Sequence, residues 1–302
     1  MTERFEIAAD DGHTIHAQIT TPTAAPVGII QILHGLGEYV DRYARFGEAA
    51  TARGFVVVGH DHRGHGGHGE EPGYFAAKNG FHRLTEDALR VQEAAAERFP
   101  GLPITLLGHS MGSYIAQHFA MVHGGRLRAL LLSGSTRPSG VLLRIGLLLA
   151  HIECWRLGDR FSSKLLDKLF FGDFNKAFKP ARTPNDWLSR DPDEVDGYVA
   201  DPLCGGPYTA GLWRDLMRGL IEIRSDNALL RIPSDLPIMI TGGADDPVGG
   251  EKGMGDLALH YAQTSHQRLK IKIYEGGRHE MLNETNRDEV TKDWLDWIAS
   301  HP

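Results

Sequence analysis

The chain has 302 residues and a formal net charge of −7, with 41% hydrophobic and 24% charged residues. These values are ordinary for a globular protein, and the acidic balance argues against a nucleic-acid partner, because phosphate binding needs concentrated Lys and Arg. Only two cysteines are present and the N-terminus has no apolar signal segment, so we expect neither a disulfide scaffold nor a secreted protein, but a cytoplasmic one.

Strands and helices alternate along the first 136 residues and again after residue 233. An Asp-Gly pair at 11–12 separates two short runs and predicts a β-hairpin. Later apolar runs are short and continuous, as in strands covered on both faces. The alternation predicts parallel βαβ units in a doubly wound, mostly parallel α/β sheet. The expected strands are 5–9, 14–19, 27–33, 55–58, 104–107, 129–133, 238–241 and 270–274, and the expected helices are 39–53, 85–99, 113–123 and 286–300.

Residues 137–233 break this alternation, since they contain no clear buried strand. We expect them to form a helical cap inserted between two parts of one core, 1–136 and 234–302. The apolar helix at 141–152 is too short to span a bilayer. It fits a lid wall for an acyl chain, a patch that touches lipid, or a helix packed between cap and core. A second apolar face is expected to pack inside the protein; it consists of Phe161, Leu165, Leu169 and Phe170.

The strongest chemical signal is a serine between glycines at residues 108–112, with the sequence G-H-S-M-G. An expected strand runs directly into this pentapeptide and an expected helix follows it, which is the setting of a nucleophile elbow. Glycines on both sides would let the backbone close around Ser110 and present its hydroxyl at the carboxyl end of the sheet. The alternative, a serine in an ordinary glycine-rich turn, fits these flanking elements poorly.

A serine hydroxyl needs a base to accept its proton, and His279 is the best candidate. It lies in the loop after the last expected strand, and the order serine, acid, histidine is that of enzymes with such an elbow. The acid is expected after the strand at 238–241, where Asp245 and Asp246 are adjacent. We favour Asp246, and Asp245 stays open because a shift of one residue in the loop would exchange them.

Backbone N–H groups are expected to stabilise the oxyanion that forms during acyl transfer. The first is that of Met111, directly after the nucleophile. The second is that of Leu36, in the loop after the strand at 27–33.

Four histidines lie within residues 60–68, a density that raises the question of a metal site. A glycine-rich loop does not by itself impose the tetrahedral geometry of a structural metal site. We therefore interpret these histidines as polar residues of a turn, and we expect neither a metal nor a cofactor.

Together, these segments resemble the monoacylglycerol lipase and lysophospholipase group of the α/β-hydrolases. The matching segments are 34–38 (HGLGE), 61–66 (DHRGHG), 99–112 and the loops of Asp246 and His279, which span the core but not the cap. The resemblance implies the α/β-hydrolase fold, a serine ester hydrolase that forms an acyl-enzyme on Ser110, and a structural turn at 61–66. Leu36 stands where a smaller residue is usual in the group, and Ser113 stands where glycine is common.

The apolar cap and the resemblance together predict a single-chain lipid ester as substrate, such as a monoacylglycerol or a lysophospholipid. A lipid surface touched by the cap is then a further expected partner. One alternative is a general short-chain carboxylesterase. Another is a proline iminopeptidase-like aminopeptidase, which would need cap carboxylates such as Glu153, Asp159 or Asp173 to hold a substrate amine. The third is a non-catalytic binding protein on the same fold, which typically lacks a member of the triad.

Overall fold

The N-terminal hairpin forms one edge of an eight-stranded sheet in a computed structural model that describes residues 1–68, 71–264 and 266–301. Its strands, β1 (Thr2–Ala8) and β2 (Thr14–Thr20), pair antiparallel with Thr2 opposite Thr20. Alternate residues of β2 are buried, so one face of this strand covers the core. The hairpin predicted from the Asp-Gly pair is therefore present.

The next strands are buried along their whole length because helices cover both faces of the sheet, which explains their continuous apolar runs. The helices between them bury one face each against the sheet. In chain order the elements are β3 (Gly28–Leu33), a 3₁₀ helix (Val40–Tyr43), α1 (Ala44–Ala52), β4 (Phe55–His60), α2 (Gly80–Arg98), β5 (Ile104–His109), α3 (Met111–His123), a 3₁₀ helix (Gly124–Arg126) and β6 (Ala129–Ser133).

Helices follow β6, as the loss of strand patterning predicts. They are α4 (Gly140–Leu157), α5 (Lys164–Phe171), a 3₁₀ helix (Phe174–Phe178), α6 (Pro192–Ala200), α7 (Ala210–Ile223) and α8 (Asp226–Leu229). Helix α4 buries Leu143, Gly146 and Ala150 and packs along α7. Its other face is exposed, with Val141, Leu142, Ile145, Leu148 and Ile152 at the surface. The helix thus packs on one side and presents apolar side chains on the other.

One prediction for this region is wrong. Phe161, Leu165 and Leu169 are exposed rather than packed inside the protein. The residue of α5 that is fully buried is Leu166, and Phe170, one helical turn later, stacks on Trp213 with ring centroids 4.4 Å apart. The helix is therefore rotated relative to the expected orientation.

The chain then returns to the sheet with β7 (Ile238–Gly243), α9 (Gly250–Gln263), β8 (Leu269–Tyr274), a 3₁₀ helix (Met281–Asn283) and α10 (Arg287–Ala299). The strand order is β1-β2-β4-β3-β5-β6-β7-β8, and all neighbours from β4 to β8 are parallel. The chain moves outward from β3 to β4 and then back past β3 to β5, so the order reverses between β3 and β5. Sites in open α/β sheets lie beyond the carboxyl ends of the strands at such a reversal.

Candidate active site

Ser110 occupies the tight turn between β5 and α3. Its φ of 51° and ψ of −119° form a strained conformation for a residue other than glycine. A Cβ atom at Gly112 would lie 2.0 Å from the carbonyl oxygen of Leu33, and one at Gly108 would lie 2.4 Å from that of Gly112. Only glycine fits at these two positions, which accounts for the G-x-S-x-G pattern.

Asp246, and not Asp245, is the hydrogen-bond partner of His279. The Nδ1 atom of His279 lies 2.8 Å from Oδ2 of Asp246, and both side chains are buried. The backbone N–H of Val248 donates to Oδ1 of Asp246 at 2.8 Å and holds the carboxylate in place. Asp245 is exposed, and its backbone N–H donates to the carbonyl oxygen of Gly277.

The imidazole of His279 contacts two other rings and has a raised pKa. The rings are those of Trp187 and His109, with centroids 5.0 Å and 4.7 Å from that of His279. Burial lowers the pKa of His279, but Asp246 and nearby carboxylates raise it by more, so the pKa lies above the usual 6.5. The backbone N–H of His279 also donates to the backbone carbonyl oxygen of Trp187 at 3.4 Å. Sequence reasoning missed Trp187, which lies in the helical region far from His279 in the chain.

Ser110 and His279 line the same cavity. Within the described ranges, no hydrogen bond joins the Ser110 hydroxyl to the imidazole. Catalytic hydrogen bonds are often long in free enzymes and shorten when substrate binds. The fold therefore brings the expected nucleophile and base to one cavity.

The two expected oxyanion donors, Leu36 and Met111, line this cavity as well. For the part of the chain that is described, neither backbone N–H donates to an acceptor within the protein. By contrast, the N–H of Gly35 donates to Oε1 of Glu38 at 2.6 Å. The N–H groups of Leu36 and Met111 are thus available to a substrate oxygen.

A buried ion-pair network connects the loop after β3 with the loop that carries His279. Arg42 donates to Oε2 of Glu38 at 2.9 Å and to Oε2 of Glu280 at 2.7 Å. The hydroxyl of Tyr43 donates to Oε1 of Glu38 at 2.8 Å. Burial alone would raise the pKa of Glu280, but Arg42 lowers it to about 2. Sequence reasoning missed this network; the available signals were the i,i+4 spacing of Glu38 and Arg42 and the position of Glu280 next to His279.

The cavity above Ser110 has a volume of 1020 Å³, at the upper end of the range for small-molecule sites. Helices α4, α5 and α7 supply much of its wall. The lining is mainly apolar and includes Leu143, Ile145, Phe170, Trp213, Leu216 and Met217. Such a wall suits an extended apolar group better than a polar one.

A sequence model of the serine aminopeptidase S33 family matches residues 24–286. The chain belongs to this family of α/β-hydrolases. The S33 hydrolase is similar to the monoacylglycerol lipase of Mycolicibacterium smegmatis, with 29% identity over 96% of this chain and 94% of the relative. It is also similar to the monoglyceride lipase of Homo sapiens, with 29% identity over 91% of this chain and 82% of the relative.

Among solved structures, a highly thermostable carboxyl esterase from Bacillus coagulans in complex with glycerol superposes on the S33 hydrolase with a TM-score of 0.91. The two chains are 29% identical, and the match covers 99% of this chain and 98% of the esterase. These comparisons confirm the α/β-hydrolase fold, the family resemblance and the serine ester hydrolase class predicted from the sequence.

The three cap carboxylates that the aminopeptidase alternative named do not line the cavity of the S33 hydrolase. Among the described residues, the carboxylates that do line it are Asp167, which accepts the Nε1–H of Trp213, and Glu38 and Glu280, which pair with Arg42. Glu153, Asp159 and Asp173 are absent from the described lining. Glu153 is paired with Arg156, and Asp159 is paired with Arg214. These three carboxylates are therefore not placed to hold a substrate amine, as the aminopeptidase alternative required.

The histidine-rich segment after β4 connects neighbouring loops of the S33 hydrolase. The backbone N–H of His62 donates to Nε2 of His34 at 2.9 Å. Arg63 is paired with Asp87 at 2.6 Å. These contacts give residues 61–66 the role of a structural turn.

Proposed function

We propose that the S33 hydrolase cleaves the ester bond of a single-chain lipid, such as a monoacylglycerol or a lysophospholipid, through an acyl-enzyme on Ser110. The observation that carries the proposal is the large apolar cavity above Ser110. An acyl chain gains about 0.8 kcal/mol per buried CH₂ group from such a wall. The names of the Mycolicibacterium smegmatis and Homo sapiens relatives support a monoacylglycerol as the substrate.

In the proposed reaction, the Ser110 hydroxyl attacks the ester carbonyl carbon and His279 takes its proton. Asp246 accepts the Nδ1–H of His279 and stabilises the imidazolium that forms. The N–H groups of Leu36 and Met111 donate to the oxyanion. His279 returns the proton to the leaving alcohol, and water, activated by the same imidazole, then releases the fatty acid and restores Ser110. This scheme uses no cofactor or metal.

We propose that residues 137–233 serve as a cap over a core formed by 1–136 and 234–302. Leu142 and Ile145 of α4 both line the cavity and are exposed at the surface. Val141, Leu148 and Ile152 extend the exposed apolar surface along the same helix. Contact of this face with lipid would put the cavity wall next to the source of substrate. No helix in the described ranges is long and apolar enough to cross a membrane. On the exposed apolar face of α4, we propose a cytoplasmic enzyme that acts at the membrane periphery.

A chain-length series tests the substrate class. The values of kcat/KM for p-nitrophenyl esters from acetate to palmitate should rise toward longer chains, because each added methylene is buried among apolar side chains. A monoacylglycerol and a lysophospholipid with the same acyl chain then separate the two head groups. Activity confined to acetate and butyrate would leave a general short-chain esterase instead. Cleavage of proline naphthylamide without ester cleavage would favour the aminopeptidase.

A fluorophosphonate probe separates an enzyme from a binding protein. The wild type should be labelled, and Ser110→Ala should not, because the probe reacts with an activated serine. An unlabelled wild type would support the binding-protein alternative.

Vesicle binding tests the lipid contact separately. Leu148 is exposed but is not part of the cavity lining, so Leu148→Gln should lower co-sedimentation with phospholipid vesicles and leave hydrolysis of a soluble short ester unchanged. Val122→Gln, at an exposed valine of α3, is the matched control and should sediment as the wild type does. Equal sedimentation of all three proteins would rule out this face as the contact.

A further inference from the structure

His82, His118 and Glu222 meet where α7 packs against α2 and α3. One potential ligand atom from each side chain lies within 4.8 Å of the other two. Nε2 of His82 is 2.7 Å from Oε2 of Glu222, and Nε2 of His118 is 3.5 Å from Oε1. The two imidazole rings stack with centroids 4.8 Å apart and 17° between their planes. Neither the triad nor the apolar cavity uses any of these three residues.

The buried His118 is anchored through its other ring nitrogen. Its Nδ1 atom lies 2.8 Å from the hydroxyl oxygen of Thr85. When Nδ1–H donates to this hydroxyl, the lone pair is on Nε2, the atom next to Glu222. A neutral imidazole held by a hydrogen bond at its second nitrogen is the usual arrangement of a histidine that ligates a metal.

We propose that His82, His118 and Glu222 bind a divalent transition metal of the Zn²⁺ type. Two imidazole nitrogens and one carboxylate oxygen suit zinc, whereas Mg²⁺ and Ca²⁺ prefer oxygen ligands alone. Donors around a tetrahedral zinc are about 3.3 Å apart. Nε2 of His118 is already near this distance from Oε1 of Glu222, at 3.5 Å, whereas Nε2 of His82 is 2.7 Å from the other oxygen, Oε2, and would have to move as the ion binds. The His82 side chain is 47% exposed and that of Glu222 is 38% exposed. The ion can therefore enter from solvent and keep a water molecule as its fourth ligand.

A bound metal would link α7 to α2 and α3, two helices of the proposed core. Glu222 is on α7, whereas His82 and His118 are on α2 and α3. Because the three ligands are far apart in the chain, the folded protein binds the ion more tightly than the unfolded chain does. Binding should consequently raise the melting temperature in proportion to the logarithm of the metal concentration. Because α7 also carries Trp213 and Met217 of the cavity wall, a bound ion would link that part of the wall to α2 and α3 without contacting Ser110.

The test is a calorimetric titration of the chelator-treated full chain with ZnCl₂. The wild type should bind one equivalent and gain thermal stability, and Mg²⁺ and Ca²⁺ should change neither. His82→Asn and Glu222→Gln should each weaken zinc binding by at least about tenfold. His82 is exposed and Glu222 is partly exposed, so circular dichroism of the metal-free variants should match the wild type. His151→Asn, at an exposed histidine that lies next to Arg218, should keep wild-type affinity.

The proposal is overturned if the wild type binds no zinc. It is also overturned if His82→Asn and Glu222→Gln both bind zinc with the affinity of the wild type. Replacing zinc with Co²⁺ gives a further check on the ligands. A thiolate charge-transfer band would assign the metal to the free thiols Cys154 or Cys204 and overturn the proposal. A spectrum of nitrogen and oxygen ligands alone would support it. None of these readouts depends on ester hydrolysis at Ser110.

Discussion

The Nδ1 atom of His279 lies 2.8 Å from Oδ2 of Asp246, while the adjacent Asp245 is exposed. The difference comes from the close contact between the loop after β7, which carries both aspartates, and the loop after β8, which carries His279. A Cβ atom at Gly243 would lie 1.9 Å from the carbonyl oxygen of Gly277, so only glycine lets the end of β7 approach the loop of His279 this closely. Because the chain is fixed at this contact, the turn after Gly243 directs Asp246, and not Asp245, toward the imidazole.

Replacing each aspartate by asparagine tests this assignment. Asp246→Asn should lower kcat by about 10⁴-fold, because an amide favours the wrong tautomer of the imidazole. Asp245→Asn is the matched control and should change kcat by less than about twofold, as expected for an exposed side chain. Steady-state hydrolysis of a p-nitrophenyl ester measures both. The opposite ranking of the two variants would assign the acid to Asp245.

Ser110 and His279, the other two members of the proposed triad, should behave as parts of one unit. Ser110→Ala and His279→Ala should each lower kcat by about 10⁴–10⁶-fold. The double variant should be little worse than either single one, since each loss already disables the same proton transfer. Additive losses in the double variant would show that the two side chains act separately.

The pH profile should report the raised pKa of His279. In the proposed reaction the imidazole must be neutral to accept the proton of Ser110, so kcat/KM should fall as pH decreases through a value above 6.5. The neighbouring His109 does not titrate in this range, because burial and the charge of His279 lower its pKa to about 4. Asp246→Asn removes the charge that raises the pKa, and the acid limb of its residual activity should move to lower pH. An acid limb below pH 6.5 in the wild type, or one that Asp246→Asn leaves in place, would contradict this prediction.

The ion-pair network around Arg42 should make a large contribution to stability. Arg42→Met leaves two carboxylates, Glu38 and Glu280, buried without their guanidinium partner, which should lower the free energy of unfolding by about 3–5 kcal/mol. Arg45→Met removes a half-exposed arginine paired with Glu194 and should cost less than about 1 kcal/mol. Urea unfolding of both variants measures the difference. Similar, small losses in the two variants would show that the buried network is not a major source of stability.

The elbow should tolerate no side chain at Gly112. Gly112→Ala places a methyl group against the backbone carbonyl oxygens of Leu33 and His34, which cannot move aside as a flexible side chain would. We expect loss of activity and of soluble protein. Gly197→Ala is the matched control: its new Cβ has no atom within 4 Å, and alanine should stabilise α6 by up to about 1 kcal/mol. Normal labelling of Gly112→Ala by a fluorophosphonate would show that the elbow is less constrained than these distances indicate.

Sequence patterning located most core elements to within a few residues, but tertiary contacts set several of their ends. Helix α2 begins at Gly80 rather than at the expected residue 85. Its first N–H donates to Oδ2 of Asp215 at 3.2 Å, a contact with a residue 135 positions away. Helix α9 was missed altogether, because its glycines lower the intrinsic helix propensity. Burial of Met254, Leu257 and Tyr261 outweighs that cost.

By itself, the sequence determined the alternation of strands and helices, the glycine-flanked elbow of Ser110 and the chain order of the reactive side chains. These features follow from local constraints, namely periodicity, turn geometry and the space that a glycine leaves open. Only the tertiary structure decided whether Asp245 or Asp246 is the hydrogen-bond partner of His279. It also determined that Leu165 of α5 is exposed and that His82 and His118 lie next to Glu222. Each of these outcomes depends on how distant elements pack against one another, and neither residue type nor spacing along the chain encodes that placement.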